Sequence, residues 1–195
     1  FEPELLAGPD LELRTSRLHL RPVELRDALP TAALMNGEIA ANLTSWPPQL
    51  SPARAKDRID AARDRLAGRQ GLEMAILDRA SDRLVGWISI VIDPPQSCVA
   101  TLGFWLGLPF QGRGLMTEAV RALVPLAASF LHVRTIEAHV YPWNSASIRL
   151  VRKLGFVGEG GVDLYSPVRR RKEEAFRYRL DPISSEGRSD TANAA

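Results

Sequence analysis

The stretch from Leu106 to Phe130 constrains the fold more than any other part of this sequence. It reads as the end of a strand, a turn with glycines at positions 112 and 114, and a long helix with an apolar face. The first N–H groups of a helix have no partner within it, and the helix dipole adds partial positive charge there. The turn is therefore a candidate phosphate site. The alternative is a connection that uses Gly only for its conformational freedom.

Two common nucleotide-binding motifs are absent from this turn. It lacks the G-x-x-x-x-G-K-[ST] sequence of a P-loop and the G-x-G-x-x-G sequence of a dinucleotide site. If the turn binds phosphate, the ligand therefore belongs to another class.

The composition is that of an ordinary globular protein. The 195 residues suit one domain, 45% of them are hydrophobic, 25% are charged, and the net charge is +2. This small net charge argues against nucleic acid as a partner. The lone Cys98 excludes an intramolecular disulfide and a cysteine-cluster site, and we expect no metal. Because neither a membrane-spanning run nor a secretory signal is recognisable, we expect a cytoplasmic protein without a membrane partner.

The apolar patterns predict an α+β domain, with a mixed sheet, over residues 11–180. Strands are predicted over residues 11–22, 72–77, 84–92, 98–106 and 133–141, then from 156 onwards and over 174–180, and helices over 27–35, 51–67, 113–130 and 144–154. The strands before the glycine turn form an antiparallel meander, and the strand after the long helix should be parallel to the one before it. Residues 1–10 are expected to be an extension, and the small, polar residues 181–195 a disordered tail.

This order of elements resembles the GCN5-related N-acetyltransferases (GNAT), and two motifs carry the resemblance. The sequence Q-G-R-G-L-M at 111–116 matches the family's acetyl-CoA pyrophosphate loop, [QR]-x-x-G-x-[GA], except at its last position. The sequence N-S-A-S at 144–147, followed by K-L-G-F at 153–156, matches the family's later N-x-x-S and K-L-G-F pattern. The opening T-S-R-L-H-L-R-P at 15–22 and T-E-A at 117–119 look like the RimJ/RimL-like branch.

The resemblance implies a central, mostly antiparallel sheet that is splayed between two central strands and carries helices on both faces. It implies transfer of an acetyl group from acetyl-CoA to a primary amine, either a protein N-terminal α-amine or a small molecule, by direct attack on the thioester. The alternative is a non-catalytic acyl-CoA-binding regulatory module on the same fold. Whether the chain forms a homodimer stays open.

The resemblance also implies where acetyl-CoA binds. The loop amides would hold the pyrophosphate, the splayed strand end would pair with the pantetheine arm, and a backbone amide near Leu106 would polarise the thioester carbonyl. The implied residues are Phe104, Trp105, Leu106, Gln111, Gly112, Arg113, Gly114, Leu115, Met116 and Thr117. Met116 departs from the family's small residue, and we expect its side chain to turn into the core.

The second motif suggests how the thiol is handled. Many family members place a Tyr later in this helix to serve the leaving thiolate, but Val151 stands at that position. We expect Ser147 to bond the thiol sulfur and Asn144 to bond the pantetheine arm. The alternatives are a small packing residue and a helix cap. Glu137 and His139 share a strand face and are candidates to relay a proton, with structural roles as the alternative.

The acceptor pocket is the least constrained part of the prediction. Trp46 and Tyr141 are candidates to line it, the alternative for Trp46 being a cap on the core. We expect the basic run at 169–172 to be a solvated hairpin tip answered by Glu173 and Glu174, the alternative being a contact to RNA or an acidic partner. Because no strong base is evident, an α-amine with a pKa near ~7.8 suits the site better than a lysine side chain near ~10.4.

Overall fold

The architecture comes from a computed structural model that describes residues 11–92 and 98–182. The predicted extension at 1–10 and all but the first two residues of the predicted tail lie outside the described residues. Of those two, Asp181 accepts a hydrogen bond from Thr135 Oγ1 at 2.7 Å, which ties the end of the last strand to the sheet.

The predicted order of elements is confirmed, apart from a short additional helix at Gly37–Ala40, where no helix was predicted. The strands are β1 (Leu13–Arg14), β2 (Leu18–Pro22), β3 (Gly71–Asp78), β4 (Arg83–Ile92), β5 (Val99–Leu106), β6 (Thr135–Val140), β7 (Val157–Ser166) and β8 (Arg171–Leu180). The helices are α1 (Ala28–Leu34), α2 (Gly37–Ala40), α3 (Pro52–Ala67), α4 (Leu115–Leu131) and α5 (Ser145–Lys153). No helix among the described residues has the length and apolarity needed to cross a bilayer.

The eight strands found in residues 11–92 and 98–182 form one sheet in the order β1-β2-β3-β4-β5-β6-β8-β7. Every neighbouring pair is antiparallel except β5 and β6, which are parallel. The chain leaves β5, crosses one face of the sheet as α4 and re-enters as β6, and such a crossover gives a parallel pair. The predicted meander and the predicted parallel strand are both correct.

The helices cover both faces of the sheet, and each face has its own apolar core. Buried residues of α4 and α5 pack on one face, where Met116 is only 6% exposed, so the expectation that it turns inward is confirmed. Residues of α1 and α3 pack on the other face, against Trp87 and Trp105. The two layers leave a mixed sheet covered on both sides, as the resemblance implied.

The sheet opens between β5 and β6, and this opening positions the site. Pairing joins Val99–Thr101 to Thr135–Glu137 and then stops, although both strands continue. The end of β5 stays paired with β4 instead, because Gly86 of β4 has no side chain that would clash with the β5 backbone. A Cβ at Gly86 would lie 2.2 Å from the carbonyl oxygen of Trp105. The result is a gap whose open end lies beside the glycine turn.

Candidate functional site

The gap leaves one side of the β5 backbone without a neighbouring strand. Gly107 N–H donates to Val85 C=O at 2.9 Å, and ladder bonds alternate along a strand, so odd-numbered residues of β5 face β4. On the other side, Cys98 C=O accepts a hydrogen bond from Arg134 N–H at 2.9 Å, as expected if even-numbered residues face β6. The register of Thr101 with Glu137 pairs Leu102 N–H with β6, so the groups that point into the gap are the C=O of Leu102 and the N–H and C=O of Phe104 and Leu106.

The turn between β5 and α4 presents a row of N–H groups. Gly112 and Gly114 have φ angles of 72° and 74°, in the left-handed region that favours glycine. Within the described part of the chain, no acceptor is found for the N–H groups from Gly112 to Thr117. No atom lies within 4 Å of the place where a Cβ of Gly112 would stand, so the turn borders open space. A diphosphate fits such a row of donors.

Gln111 joins this turn to the edge of β5. Its Nε2 donates to Leu106 C=O at 2.9 Å, which satisfies a carbonyl that the gap leaves unpaired. Leu115 and Met116 bury their side chains in the α4 core and anchor the other end of the turn. Trp105 differs from its neighbours, because its backbone faces β4 and its side chain lies in the opposite core.

Asn144 caps α5, as one of the two interpretations predicted. Its Oδ1 accepts a hydrogen bond from Ser147 N–H at 3.1 Å. Asn144 Nδ2 and Ser147 Oγ have no partner among the described residues, so both are available to a ligand. Asn144 N–H donates to Tyr141 C=O at 2.9 Å, which holds this helix start against the end of β6, where the gap is open.

Glu137 and His139 face away from α4. Ile136 and Ala138 lie in the α4 core, and alternation along the strand therefore directs their neighbours to the face that carries α1 and α3. His139 Nε2 lies 3.3 Å from Glu137 Oε2, and both side chains are largely buried. Glu137 stands opposite Thr101 in the last paired position, whereas His139 lies beyond it, beside the gap.

A buried ionic network closes the same face near Tyr141. The Tyr141 hydroxyl donates to Glu173 Oε2 at 2.8 Å and accepts from Arg169 Nη2 at 2.5 Å. Arg169 Nε lies 2.8 Å from both carboxylate oxygens of Glu173. Hydrogen bonding from Arg169 lowers the pKa of Glu173 from 4.5 to about 2. Burial raises the pKa of Tyr141, so its hydroxyl stays protonated at neutral pH.

The predicted solvated hairpin tip is wrong for Arg169. Arg170 and Lys172 are exposed, as expected, but Arg169 turns inward. The reason is that Glu173, expected to answer the basic run from the surface, is only 8% exposed, and a buried carboxylate requires a cation beside it. The sequence analysis did not predict this network. The one signal for it in the sequence is the opposite charge of Arg169 and Glu173, four residues apart.

The hairpin is fastened to the loop that follows α2. Ser166 Oγ donates to Thr44 C=O at 2.8 Å, and Arg169 Nη1 donates to Leu43 C=O at 3.1 Å. We call these two joined segments, residues 41–50 and 166–173, the side wall. The side wall borders the face of β6 that carries Glu137 and His139.

Trp46 belongs to the side wall, and its ring is occupied by core contacts. It meets Trp87 and Trp105 edge-on, with ring centroids 5.2 and 5.3 Å apart. The Arg58 guanidinium lies 4.2 Å from the centroid of the Trp46 ring. Of the two alternatives for Trp46, capping the core accounts for these contacts.

The Glu173 network makes the folded state sensitive to acid. Because the folded protein holds this carboxylate at a pKa of about 2, against 4.5 for the free group, protonation favours unfolding. The stabilisation is complete above about pH 4.5 and is lost as the pH falls towards 2. We expect Glu173→Gln to lower the free energy of unfolding at pH 7 by about 3 kcal/mol and to flatten its dependence on pH over this window.

Urea unfolding between pH 2.5 and 7 measures both effects, with Glu174→Gln as the matched control. Glu174 is the exposed neighbour and its substitution removes the same charge. If the two variants unfold alike across the pH range, Glu173 does not hold the network together.

Comparison with known proteins agrees with this geometry. Residues 17–157 match the family model described as the acetyltransferase (GNAT) domain. A probable N-acetyltransferase of Bacillus subtilis, YjcK, is 32% identical over 76% of this chain and 84% of its own length. The [ribosomal protein uS5]-alanine N-acetyltransferase of Escherichia coli is 28% identical over 78% of this chain and 81% of its own length.

A solved structure repeats the fold. RimL, a ribosomal L7/L12 alpha-N-protein acetyltransferase solved in complex with coenzyme A, superimposes with a TM-score of 0.73 over 86% of this chain and 95% of its own. At 19% identity, this likeness speaks for the fold alone. The family match covers most of the chain and the order of elements agrees with it. The chain therefore belongs to the GNAT family of N-acetyltransferases.

Proposed function

We propose that the protein transfers an acetyl group from acetyl-CoA to a primary α-amine by direct attack of the amine on the thioester. One observation carries the proposal. The free N–H groups from Gly112 to Thr117 and the unpaired end of the β5 edge form a backbone surface that leads into the gap between β5 and β6. A chain of phosphates followed by amides would offer acceptors to the loop N–H groups and both donors and acceptors to the strand edge.

The diphosphate would lie against the N–H groups from Gly112 to Thr117, at the start of α4. The pantetheine arm would add to the edge of β5 as an extra strand, through the backbone of Leu102 and Phe104. Leu106 N–H, the last donor facing the gap, would polarise the thioester carbonyl. Because backbone groups supply these contacts, the binding of coenzyme A would need few side chains.

The reaction also requires stabilisation of the leaving thiolate, and Ser147 is our candidate for this role. Ser147 Oγ is free of partners among the described residues and stands in the first turn of α5, where the helix dipole favours negative charge. Asn144 Nδ2, also free, would donate to an amide carbonyl of the pantetheine arm. The cap made by Asn144 Oδ1 and this second role use different atoms of one side chain.

The amine would approach from the face that carries α1 and α3. A bond forms between its nitrogen and the acetyl carbon, the carbon–sulfur bond breaks, and the nitrogen loses a proton. His139, which lies beside the gap and 3.3 Å from Glu137, would take that proton through water, with Glu137 as the other candidate. The thiolate regains a proton from solvent, with Ser147 bonding the sulfur. Tyr141, which bonds to Glu173 and Arg169 of the side wall, would border the acceptor.

An α-amine suits this arrangement. About a tenth of an α-amine with pKa ~7.8 is neutral at pH 7, against less than about a thousandth of a lysine side chain. The relative from Escherichia coli carries a ribosomal-protein alanine in its name, and RimL is named as an alpha-N-protein acetyltransferase. These names support a protein or peptide N-terminus as the acceptor, with small α-amines as the alternative.

A panel of amines tests the proposal directly. Purified protein with acetyl-CoA should release thiol fastest with peptides that offer a free α-amine, and slowly with N-blocked peptides that offer only lysine at pH 7. The advantage should narrow by about tenfold for each unit of pH above the α-amine pKa. Equal rates on both peptide sets at pH 7 would contradict the acceptor class. A rate of thiol release that is the same with and without an amine would contradict acetyl transfer.

The glycine at position 112 tests where coenzyme A binds. Gly112→Ala would place a methyl group in the space that the loop amides border, so we expect CoA affinity to fall about tenfold. Gly160→Ala is the matched control, because its φ is also positive and it too has nothing within 4 Å, but it lies in β7. Calorimetric titration with CoA should separate the two variants. Equal affinities would place the cofactor elsewhere.

Substitution of Ser147 tests the role of its hydroxyl. We expect Ser147→Ala to lower kcat about tenfold, since one hydrogen bond to a developing thiolate is lost, and to leave the Kd for CoA nearly unchanged. Ser145→Ala, an exposed position in the same helix, should change neither value. Stopped-time thiol assays and calorimetry on the same preparations give both numbers. An unchanged kcat would assign Ser147 to packing.

A further inference from the structure

Glu118, in the first turn of α4, is held by donors from the turn between β1 and β2. Its Oε1 accepts hydrogen bonds from Thr15 Oγ1 at 2.6 Å, from Ser16 Oγ at 3.1 Å and from Arg17 N–H at 3.0 Å. Its Oε2 accepts from Arg17 Nε at 2.7 Å, and Arg17 Nη2 lies at the same distance. Although partial burial acts in the opposite direction, the hydrogen bonds from Thr15 and Arg17 lower the pKa of Glu118 to about 2. Glu118 is therefore a carboxylate at any physiological pH.

The same arginine reaches the glycine turn. Arg17 Nη1 donates to the carbonyl oxygen of Arg113 at 2.9 Å. In a trans peptide the C=O and the following N–H point in opposite directions. By drawing the Arg113 carbonyl towards itself, Arg17 turns the Gly114 N–H the other way, towards the open side of the loop.

This contact matters because the loop is otherwise free to turn over. The peptide joins Arg113 to Gly114, so turning it over changes ψ of Arg113 and φ of Gly114, and glycine populates positive and negative φ about equally. A flipped peptide would direct the Arg113 carbonyl at a bound anion and remove one donor. In the described residues, the Arg113 carbonyl receives no hydrogen bond other than the one from Arg17.

We infer that Arg17 and Glu118 together are positioning residues for the 111–116 loop, which they hold in the one orientation whose amides bind a diphosphate. The inference rests on the proposed function, in which that diphosphate belongs to coenzyme A. Glu118 fixes the Arg17 fork, and the fork fixes the peptide. Preorganised donors bind more tightly because their ordering is not required at the moment of binding.

A simpler role for Arg17 is attraction of the diphosphate by charge, and the two roles predict opposite results. If charge were the cause, Glu118→Gln would remove a repulsive carboxylate and strengthen the binding of CoA. If positioning is the cause, Glu118→Gln releases the Arg17 guanidinium and weakens the binding of CoA. Arg17→Lys keeps the charge, but an ammonium lacks the planar fork that contacts Glu118 and the Arg113 carbonyl together.

The test is calorimetric titration of the full chain with CoA in about 0.5 M salt, where the screening length is only about 4 Å. We expect Arg17→Lys and Glu118→Gln each to raise the Kd about tenfold, the effect of one lost charged hydrogen bond. Arg121→Gln is the charge control. Arg121 lines the same surface depression as Arg17 and Glu118 without contacting the loop carbonyl, and its substitution should change the Kd less than about threefold at this salt.

A second readout guards against a general loss of folding. The ratio of kcat/KM for acetyl-CoA to kcat/KM for acetyl-pantetheine should fall about tenfold in both variants. Acetyl-pantetheine has no diphosphate, so a change in the loop should leave its kcat/KM unaffected. Partial unfolding would lower both values and leave the ratio unchanged. If Arg17→Lys and Glu118→Gln bind CoA as tightly as the unmodified protein, the inference is overturned and the proposed function stands. If the unmodified protein does not bind CoA, the proposed function fails first.

Discussion

The early end of the pairing between β5 and β6 is the constraint on which the rest of the site depends. Backbone N–H and C=O groups inside a sheet are normally satisfied by a neighbouring strand, and leaving them unpaired costs free energy unless water or a ligand replaces it. Here Leu102, Phe104 and Leu106 have such groups on the gap side. The protein tolerates this because the gap opens to the surface. A ligand with amides of its own can then take the place of the missing strand.

The gap also divides the chemistry between the two faces of the sheet. Helices α4 and α5 lie on one face and bring the 111–116 loop and Ser147 to the gap. The other face carries Glu137, His139 and the side wall. A donor that threads from one face and an acceptor that enters from the other would meet only where the strands part. This arrangement fits a reaction in which two substrates must be brought together without a covalent intermediate on the protein.

The sequence predicted the fold well, because hydrophobic periodicity and turn residues determine local structure. The α4 helix, its glycine turn and the parallel β6 follow from patterns within a few tens of residues. The motifs also located Asn144, which caps α5, and the adaptable side chain of Met116 turns into the core as expected. What periodicity could not predict was the inward turn of Arg169, because local sequence makes a basic run look solvated. Glu173, which draws Arg169 inward, is buried in a hairpin that bonds to a loop more than a hundred residues earlier.

The contact between Arg17 and Glu118 escaped prediction for the same reason. Both residues lie in stretches that resemble the RimJ/RimL-like branch, yet nothing in either stretch indicates that they meet. Their partnership exists only because β2 and α4 are brought to one end of the sheet. Pairwise contacts of this range are a property of the assembled fold.

The two ionic networks, Arg17 with Glu118 and Arg169 with Glu173, have no residue in common. One braces the loop proposed for the donor, and the other braces the wall proposed for the acceptor. Gene duplicates of such a protein can therefore diversify in the amine they modify by changes to the wall alone. Each descendant would keep the proposed binding site for acetyl-CoA unchanged.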